Sequence, residues 1–309
     1  VKSARDRFRA AGKGRAGQPL NLVMPVTGHP AFDKAAILMD VEVRRAPLQA
    51  DRRVDVDAMK GLVDENTFLI VASAPCFPHG VIDPIGEVAD LATATDTWLH
   101  IDACVGGWVA PFFERIGRGT PVFDFRHEAV RSMSADLHKF GFAPKPSSTV
   151  FFRDGEDLER STFRLGHWPS GVYTTATMSG SRPAGAVAGA WAVLNHLGTA
   201  GYEQAARDLS AMTDAYVAGI RAIPDLKLLA EPDVTILNIG SDTVDIYAVA
   251  ERMRSRGWIP GLTSEPRGMH TMLSMQHEPA RDAWLADMSA SIDDVRATKA
   301  KSDLTATYS

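Results

Sequence analysis

Six short apolar runs, spaced by segments of helical length, constrain this chain of 309 residues more than any other feature. They fall at residues 20–24, 41–45, 68–73, 98–102, 130–135 and 149–152. A run that is apolar without polar alternation is the mark of a strand covered on both faces, and such strands alternate with helices in mostly parallel sheets. Residues 31–39, 56–65 and 85–95 supply the intervening helices, and Asp83-Pro84 reads as a cap followed by proline in the first turn. The pattern predicts an α/β large domain. Past residue 180 the pattern changes: helices at 184–197 and 202–223 lead to short strands at 226–229, 234–239, 258–260 and 271–275, with helices at 244–256 and 280–300. That succession predicts a small C-terminal α+β domain. The expected division is therefore 1–198 and 199–309, with the polar residues 301–309 frayed.

Composition narrows the function classes. At 45% hydrophobic residues the chain is large enough for one main core and a smaller one. A net charge of −5 and the absence of a basic run interleaved with aromatics argue against nucleic acid as a partner. Cys76 and Cys104 are too few for a disulfide framework, which fits a reducing, cytoplasmic setting. No His-Glu-x-x-His motif suggests a metal. The most apolar helix, 184–197, is too short to span a bilayer and is interrupted by Asn195 and His196. Val1 begins what reads as the middle of a helix, followed by a glycine-rich turn from Gly12 to Gly17, so the reading expects sequence upstream.

The chemistry is concentrated at strand ends, where ligands of such sheets gather. Residues 98–102 close on His100-Ile101-Asp102-Ala103, and 37 positions after Asp102 comes Lys139, in Ser134-Ala135-Asp136-Leu137-His138-Lys139-Phe140-Gly141. A lysine that forms an imine and an acid that keeps a pyridine nitrogen protonated are the two protein groups pyridoxal 5'-phosphate requires. Lysine attacks only as the neutral amine, and His138 beside it could help lower its proton affinity. Ser134, Ala135 and Gly141 read as leaving room for a flat ring, and Gly106-Gly107 as allowing close backbone approach to a ligand. The alternatives are a solvated lysine after a short strand and an acid serving a strand-end turn.

Longer motifs carry a resemblance. These are Gly28-His29-Pro30-Ala31-Phe32-Asp33-Lys34-Ala35, Phe77-Pro78-His79-Gly80-Val81-Ile82-Asp83-Pro84, His100-Ile101-Asp102-Ala103-Cys104-Val105-Gly106-Gly107, Phe123-Asp124-Phe125-Arg126, the lysine segment through Ala143-Pro144-Lys145, and Gly180-Ser181-Arg182-Pro183. With them the chain, from about Asn21 to Gly198 and more loosely beyond, resembles the sphingosine-1-phosphate lyases. That branch lies within the fold type I pyridoxal phosphate family that also holds the group II amino acid decarboxylases. The resemblance implies an aspartate aminotransferase-like large domain with a mostly parallel sheet of the seven-stranded type. It implies Lys139 as the imine-forming lysine, Asp102 as partner of the ring nitrogen and His29 stacked on the ring. His138 and Ser181 would lie near the cofactor phosphate, and Lys145 would hold the substrate phosphate. It further implies a homodimer with shared sites, and an upstream phosphate loop and N-terminal arm outside these residues. Departures occur at Pro146 and Phe140, where the branch commonly has glycine and tyrosine, and at Pro169-Ser170-Gly171, where it has a Gly-Gly turn.

Three further residues have two readings each. His79 either faces the site or sits in a turn made by Pro78 and Gly80; Arg182 binds an anion near a helix start or pairs with an acid; Tyr173 contacts substrate or packs. The reading as a whole is a carbon-carbon lyase cleaving a phosphorylated amino alcohol, such as a sphingoid base phosphate, into a fatty aldehyde and phosphoethanolamine. The same-fold alternative is an amino acid decarboxylase, for which Lys145 would be dispensable. An alternative of another class is a non-catalytic dimer partner, against which the intact Lys139 and Asp102 argue.

Overall fold

A computed structural model describes residues 1–307 as two compact units. The first comprises residues 1–76, 82–111 and 121–198, and the second residues 77–81, 112–120 and, of those described, 199–307.

In the first unit, helix α1 (Lys2–Ala10) precedes strand β1 (Asn21–Pro25), α2 (Ala31–Met39), β2 (Glu42–Ala46), α3 (Val56–Leu62), β3 (Thr67–Ser73), α4 (Ile85–Ala94) and β4 (Trp98–Asp102). Then follow α5 (Ala110–Arg115), most of which belongs to the second unit, and, again in the first, β5 (Val130–Ala135), β6 (Thr149–Phe152), α6 (Gly155–Glu159), β7 (Phe163–Trp168) and β8 (Gly171–Thr175). The sheet order is β2-β1-β3-β4-β5-β6, with every neighbouring pair parallel except β5 and β6. All seven residues of β3 and all five of β1 are buried, as central strands of a parallel sheet covered on both faces must be. The sheet numbers six strands among the described residues, where the resemblance implied the seven-stranded type; the six are those the apolar runs themselves indicate. Because β2 and β3 flank β1 on opposite sides, the strand order reverses between β1 and β3. Crevices at the carboxyl edge beside such a reversal are where these sheets take ligands.

Several sequence expectations change. Asp83 does not cap α4, which starts from Pro84 without a side-chain cap. Its carboxylate instead accepts from the Val54 and Ser73 backbone amides at 3.0 and 2.8 Å, because two strand-edge donors buried with it need an acceptor. The two helices expected at 184–197 and 202–223 are present on either side of Gly198, whose φ of 54° and ψ of −172° are not helical, and the pair is labelled α7 (Gly185–Arg221). The β7-β8 hairpin is additional, its Phe163, Trp168, Val172 and Tyr173 exposed.

In the second unit, β9 (Lys227–Leu228), β10 (Ile236–Gly240), α8 (Ile246–Ser255), β11 (Gly261–Ser264), β12 (Arg267–Met272) and α9 (Arg281–Thr298) form an antiparallel sheet of order β11-β12-β10-β9 with helices. The strand expected at 258–260 begins instead at Gly261, after Pro260, and pairs with β12, which starts and ends earlier than the expected 271–275 and shares only residues 271 and 272 with it. The polar tail is tied at Ser302, whose hydroxyl donates to Glu251 at 2.8 Å and whose amide donates to Asp245 at 3.3 Å. Tyr308 and Ser309, also expected to fray, lie outside the described residues.

Candidate active site

The carboxyl ends of β1, β4 and β5 build the site in the first unit. After β1 the chain turns sharply: the Gly28 amide donates to the Pro25 carbonyl at 2.9 Å, and a Cβ at Gly28 would lie 2.8 Å from Met24 Sδ. The turn delivers His29, whose Nδ1 accepts from the Ala31 amide at 3.1 Å, so the neutral ring carries its proton on Nε2. Arg45, at the end of β2, fixes this edge by donating to the Pro25 and Val26 carbonyls and pairing with Asp33 of α2 at 2.6 Å. Phe32 meets the His100 ring edge-on at 5.7 Å, tying the His29 segment to β4. Burial, above all, lowers the His100 pKa to about 4, so its ring is a neutral partner for the Ser132 hydroxyl at 2.8 Å.

Asp102 ends β4. Its Oδ1 accepts from the Cys104 amide at 3.2 Å and from the Ser134 hydroxyl of β5 at 3.1 Å. Its Oδ2 makes no hydrogen bond among the described residues. One oxygen is thus fixed by the protein and the other is open. Ser134 also accepts from the Cys104 thiol at 3.2 Å. Burial, and then the Asp102 charge, push that thiol well above the usual cysteine range, so Cys104 serves as a weak donor and not as a nucleophile. The neighbouring glycines serve the protein and not a ligand, contrary to the expectation. A Cβ at Gly106 would lie 2.2 Å from the Ala74 carbonyl oxygen, and one at Gly107 would lie 2.5 Å from Ala135 Cβ. Gly141 likewise packs on Leu137, whose carbonyl oxygen its Cβ would meet at 2.6 Å, and does not leave room for a ring.

Beyond β5 the chain makes a turn in which the Lys139 amide donates to the Asp136 carbonyl at 3.1 Å. The Lys139 ammonium pairs with Asp136 Oδ2 at 3.1 Å, a partner the sequence reading passed over. A carboxylate three residues before the lysine, just past a strand, was the available signal. His138 Nδ1 donates to the Ser147 carbonyl at 2.6 Å, and its Nε2 lies 3.6 Å from Asp136 Oδ2. The His138 amide donates to the same carbonyl at 3.0 Å, so residues 139–146 form a closed loop. Leu137 and Ala143 pack on Ala190 of α7, and Gly189 lets Pro144 approach so closely that a Cβ there would lie 2.5 Å from Pro144 Cγ. Lys145 stands on this anchored loop, exposed and, among the described residues, without an ion-pair or hydrogen-bond partner.

The structure gathers Asp102, Ser134, Asp136, His138 and Lys139 at adjoining strand ends, with His29 after β1 at the same edge. Other candidates lie elsewhere. Ser181 and Arg182 sit in the exposed loop before α7, where Arg182 donates to Thr177 at 3.0 Å. Tyr173 lies on β8 against Phe163 and Trp168, with ring centroids 6.2 Å away in each case. His79 belongs to the second unit, where it is 1% exposed and its Nδ1 accepts from Asn238 Nδ2 at 2.8 Å.

This donor set fits pyridoxal 5'-phosphate. The free Asp102 oxygen suits a protonated ring nitrogen, and a primary amine stands on the next strand end. The Thr27 hydroxyl, beside His29, is buried without a hydrogen-bond partner, a polar atom that a ligand would satisfy.

Residues 2–239 match the family described as pyridoxal-dependent decarboxylase conserved domain, and the chain belongs to that family. Its cofactor is pyridoxal 5'-phosphate, and its fold is the type I fold of these enzymes. Among its relatives, the chain is 38% identical to sphingosine-1-phosphate lyase of Arabidopsis thaliana over 96% of its own length and 54% of the relative's. It is 31% identical to a probable L-tyrosine/L-aspartate decarboxylase of Methanothermobacter thermautotrophicus, covering 86% of this chain and 72% of that one. The solved sphingosine-1-phosphate lyase of Burkholderia pseudomallei superposes with a TM-score of 0.91 at 35% identity, over 96% of this chain and 68% of that one. The chain spans about half the length of the curated lyases it matches.

Proposed function

We propose that this chain carries the catalytic core of a lyase that splits a phosphorylated amino alcohol of the sphingosine 1-phosphate class into a fatty aldehyde and phosphoethanolamine. When bound, pyridoxal phosphate supplies an electron sink for the bond that breaks beside the substrate nitrogen. The chain's residues do the rest. The open Asp102 oxygen holds the proton on the ring nitrogen, while Ser134 and the Cys104 amide keep the carboxylate oriented. Lys139 would supply the amine that holds the cofactor aldehyde, and His29, with its Nδ1 already engaged by the helix start, would lie against the ring. His138, at the same edge, serves the cofactor phosphate.

The observation that carries the lyase reading is Lys145. An unpaired ammonium, on a loop anchored at both ends beside the Lys139 turn, suits a substrate phosphate bound as a point charge. A decarboxylase has no use for that charge beyond the cofactor's own phosphate. Amino acid decarboxylation is the second reading, favoured by the match to a probable L-tyrosine/L-aspartate decarboxylase. Two domains, 1–198 and 199–309, would carry the cofactor site and a small C-terminal α+β fold. The exposed apolar side chains of β6 and the β7-β8 hairpin, among them Val150, Phe151, Trp168 and Val172, support a homodimer with shared sites, in which Tyr173 and Arg182 contact substrate or partner. That neither Cys76 nor Cys104 is in a disulfide supports a cytoplasmic location, and no helix among the described residues is long and apolar enough to cross a membrane.

Product analysis tests this reading. The full-length protein, loaded with cofactor, is offered a sphingoid base phosphate beside a panel of amino acids. Fatty aldehyde with phosphoethanolamine supports the lyase, whereas carbon dioxide from an amino acid without aldehyde moves the assignment to decarboxylase.

A further inference from the structure

Strand β5 presents a row of hydroxyls to β4. Residues two apart on a strand share a face, and the register sets Ser132 against His100 and Ser134 against Asp102. Each serine passes a proton-donating contact across to β4. The Trp98 indole N–H donates to Ser132 at 2.8 Å, leaving the Ser132 proton for His100 Nδ1, also at 2.8 Å. Two residues on, the Cys104 thiol donates to Ser134 at 3.2 Å, and Ser134 donates to Asp102 Oδ1 at 3.1 Å. A carboxylate only accepts, which fixes the direction of this second chain. The thiol keeps its proton, because burial and then the Asp102 charge push it well above the usual cysteine range.

The backbone holds the three residues of that chain in place. The Ala103 amide donates to the Ser134 carbonyl at 3.1 Å, the Ala74 amide to the Asp102 carbonyl at 2.9 Å, and the Asp136 amide to the Cys104 carbonyl at 3.1 Å. The Asp102 carboxylate, at the strand end, takes its orientation from the Ser134 hydroxyl and the Cys104 amide, both on Oδ1. We propose that the chain from Cys104 through Ser134 makes this site selective for a ring nitrogen. Ser134 is a positioning residue that occupies Oδ1, so that Oδ2 is the oxygen turned to the cofactor, and Cys104 aims the Ser134 proton. This rests on the reading of Asp102 as the partner of the ring nitrogen. Without the hydroxyl, Oδ1 keeps a single donor and the carboxylate turns more freely, so both oxygens share the task that Oδ2 performs alone.

The test compares pyridoxal phosphate with its carbocyclic analogue, in which a C–H group replaces the ring nitrogen. Both carry the same aldehyde and phosphate, so the contact of Asp102 with the ring nitrogen is the difference between them. The affinity of the full-length protein for each is measured by equilibrium dialysis, and the ratio of the two is the readout. Wild type is expected to favour pyridoxal phosphate. In Ser134→Ala that preference is expected to shrink roughly tenfold, through weaker binding of pyridoxal phosphate with binding of the analogue little changed. Ser134→Thr keeps the hydroxyl and suits a strand, and is expected to restore the preference. Cys104→Ala leaves the hydroxyl without the weak donor that aims it, and is expected to lower the preference about twofold. A residue that merely packs would weaken both ligands alike, so an unchanged ratio in Ser134→Ala overturns the proposal. Should that variant fail to fold, as judged by circular dichroism, Cys104→Ala decides, and an unchanged ratio there overturns it. Wild type binding the two ligands equally would overturn the Asp102 reading as well, whereas a wild-type preference that survives in Ser134→Ala overturns only the role of Ser134.

Discussion

Asp83 makes stability fall with pH in a window that its surroundings define. The carboxyl is 1% exposed, and burial, only partly offset by the Ser73 and Val54 amides and by Arg53, raises its pKa from the ordinary 3.8 to about 6. A carboxyl whose folded pKa lies above its unfolded value binds its proton more tightly when folded. Its stabilising contribution is then complete below 3.8 and is lost as pH rises through about 6. At about 1.4 kcal/mol per pH unit, the full loss is about 3 kcal/mol, corresponding to roughly 5 to 10 °C in melting temperature. Asp83→Asn removes the titration. The amide retains one acceptor for two buried backbone donors, so the variant carries a fixed penalty of about 1–3 kcal/mol at every pH. The assay is the melting temperature of wild type and variant across the acid-to-neutral range. The advantage of wild type over variant should be greatest in acid and shrink by the stated amount toward neutrality. An advantage that stays constant, or grows with pH, would mean that the two amides and Arg53 outweigh burial and that the reasoning is wrong.

Other perturbations have equally definite outcomes. Gly106→Ala places a methyl 2.2 Å from the Ala74 carbonyl oxygen, so the β4 loop must move; a loss of about 1–3 kcal/mol in urea unfolding, with weakened cofactor binding, is expected, and a neutral substitution would contradict the packing described. Lys145→Ala should raise KM for a phosphorylated amino alcohol roughly tenfold with a smaller change in kcat, because a charge-assisted contact to the substrate phosphate is lost in ground and transition states alike. An unchanged KM would remove the ground for preferring lyase over decarboxylase.

Much of the large unit was legible because its central strands β1 and β3 are buried on both faces. In β3 every residue from Thr67 to Ser73 is buried, so the sequence there is a continuous apolar run with little room for ambiguity. The hairpin β7-β8 was not legible for the opposite reason. Its aromatics, Phe163, Trp168 and Tyr173, are exposed, and Arg164, Gly166 and His167 interrupt any apolar run. The two helices of α7 were legible as two because Gly198 and the small residues after it read as a break, and Gly198 there has non-helical backbone angles.

At the site, Asp102 and Lys139 could be found because each follows a recognisable strand, which fixes the edge to which it belongs. Asp136 was overlooked because its role depends on the tightness of the turn, which brings residues three apart to 3.1 Å. The glycines after Asp102 misled in a related way. Close approach was a correct expectation, but the approaching groups are Ala74 and Ala135. For Asp83 the Asp-Pro pair resembled a helix cap, and only the fold reveals that two buried amides from Ser73 and Val54 require the carboxylate first.

The central claim is that Lys139 is the residue that binds the cofactor. It is tested most directly by borohydride reduction of the full-length protein with pyridoxal phosphate, followed by peptide mapping by mass spectrometry. The account predicts the cofactor fixed to the peptide containing Lys139, with none recovered there from Lys139→Ala. Cofactor fixed to another lysine, or to none, would contradict it.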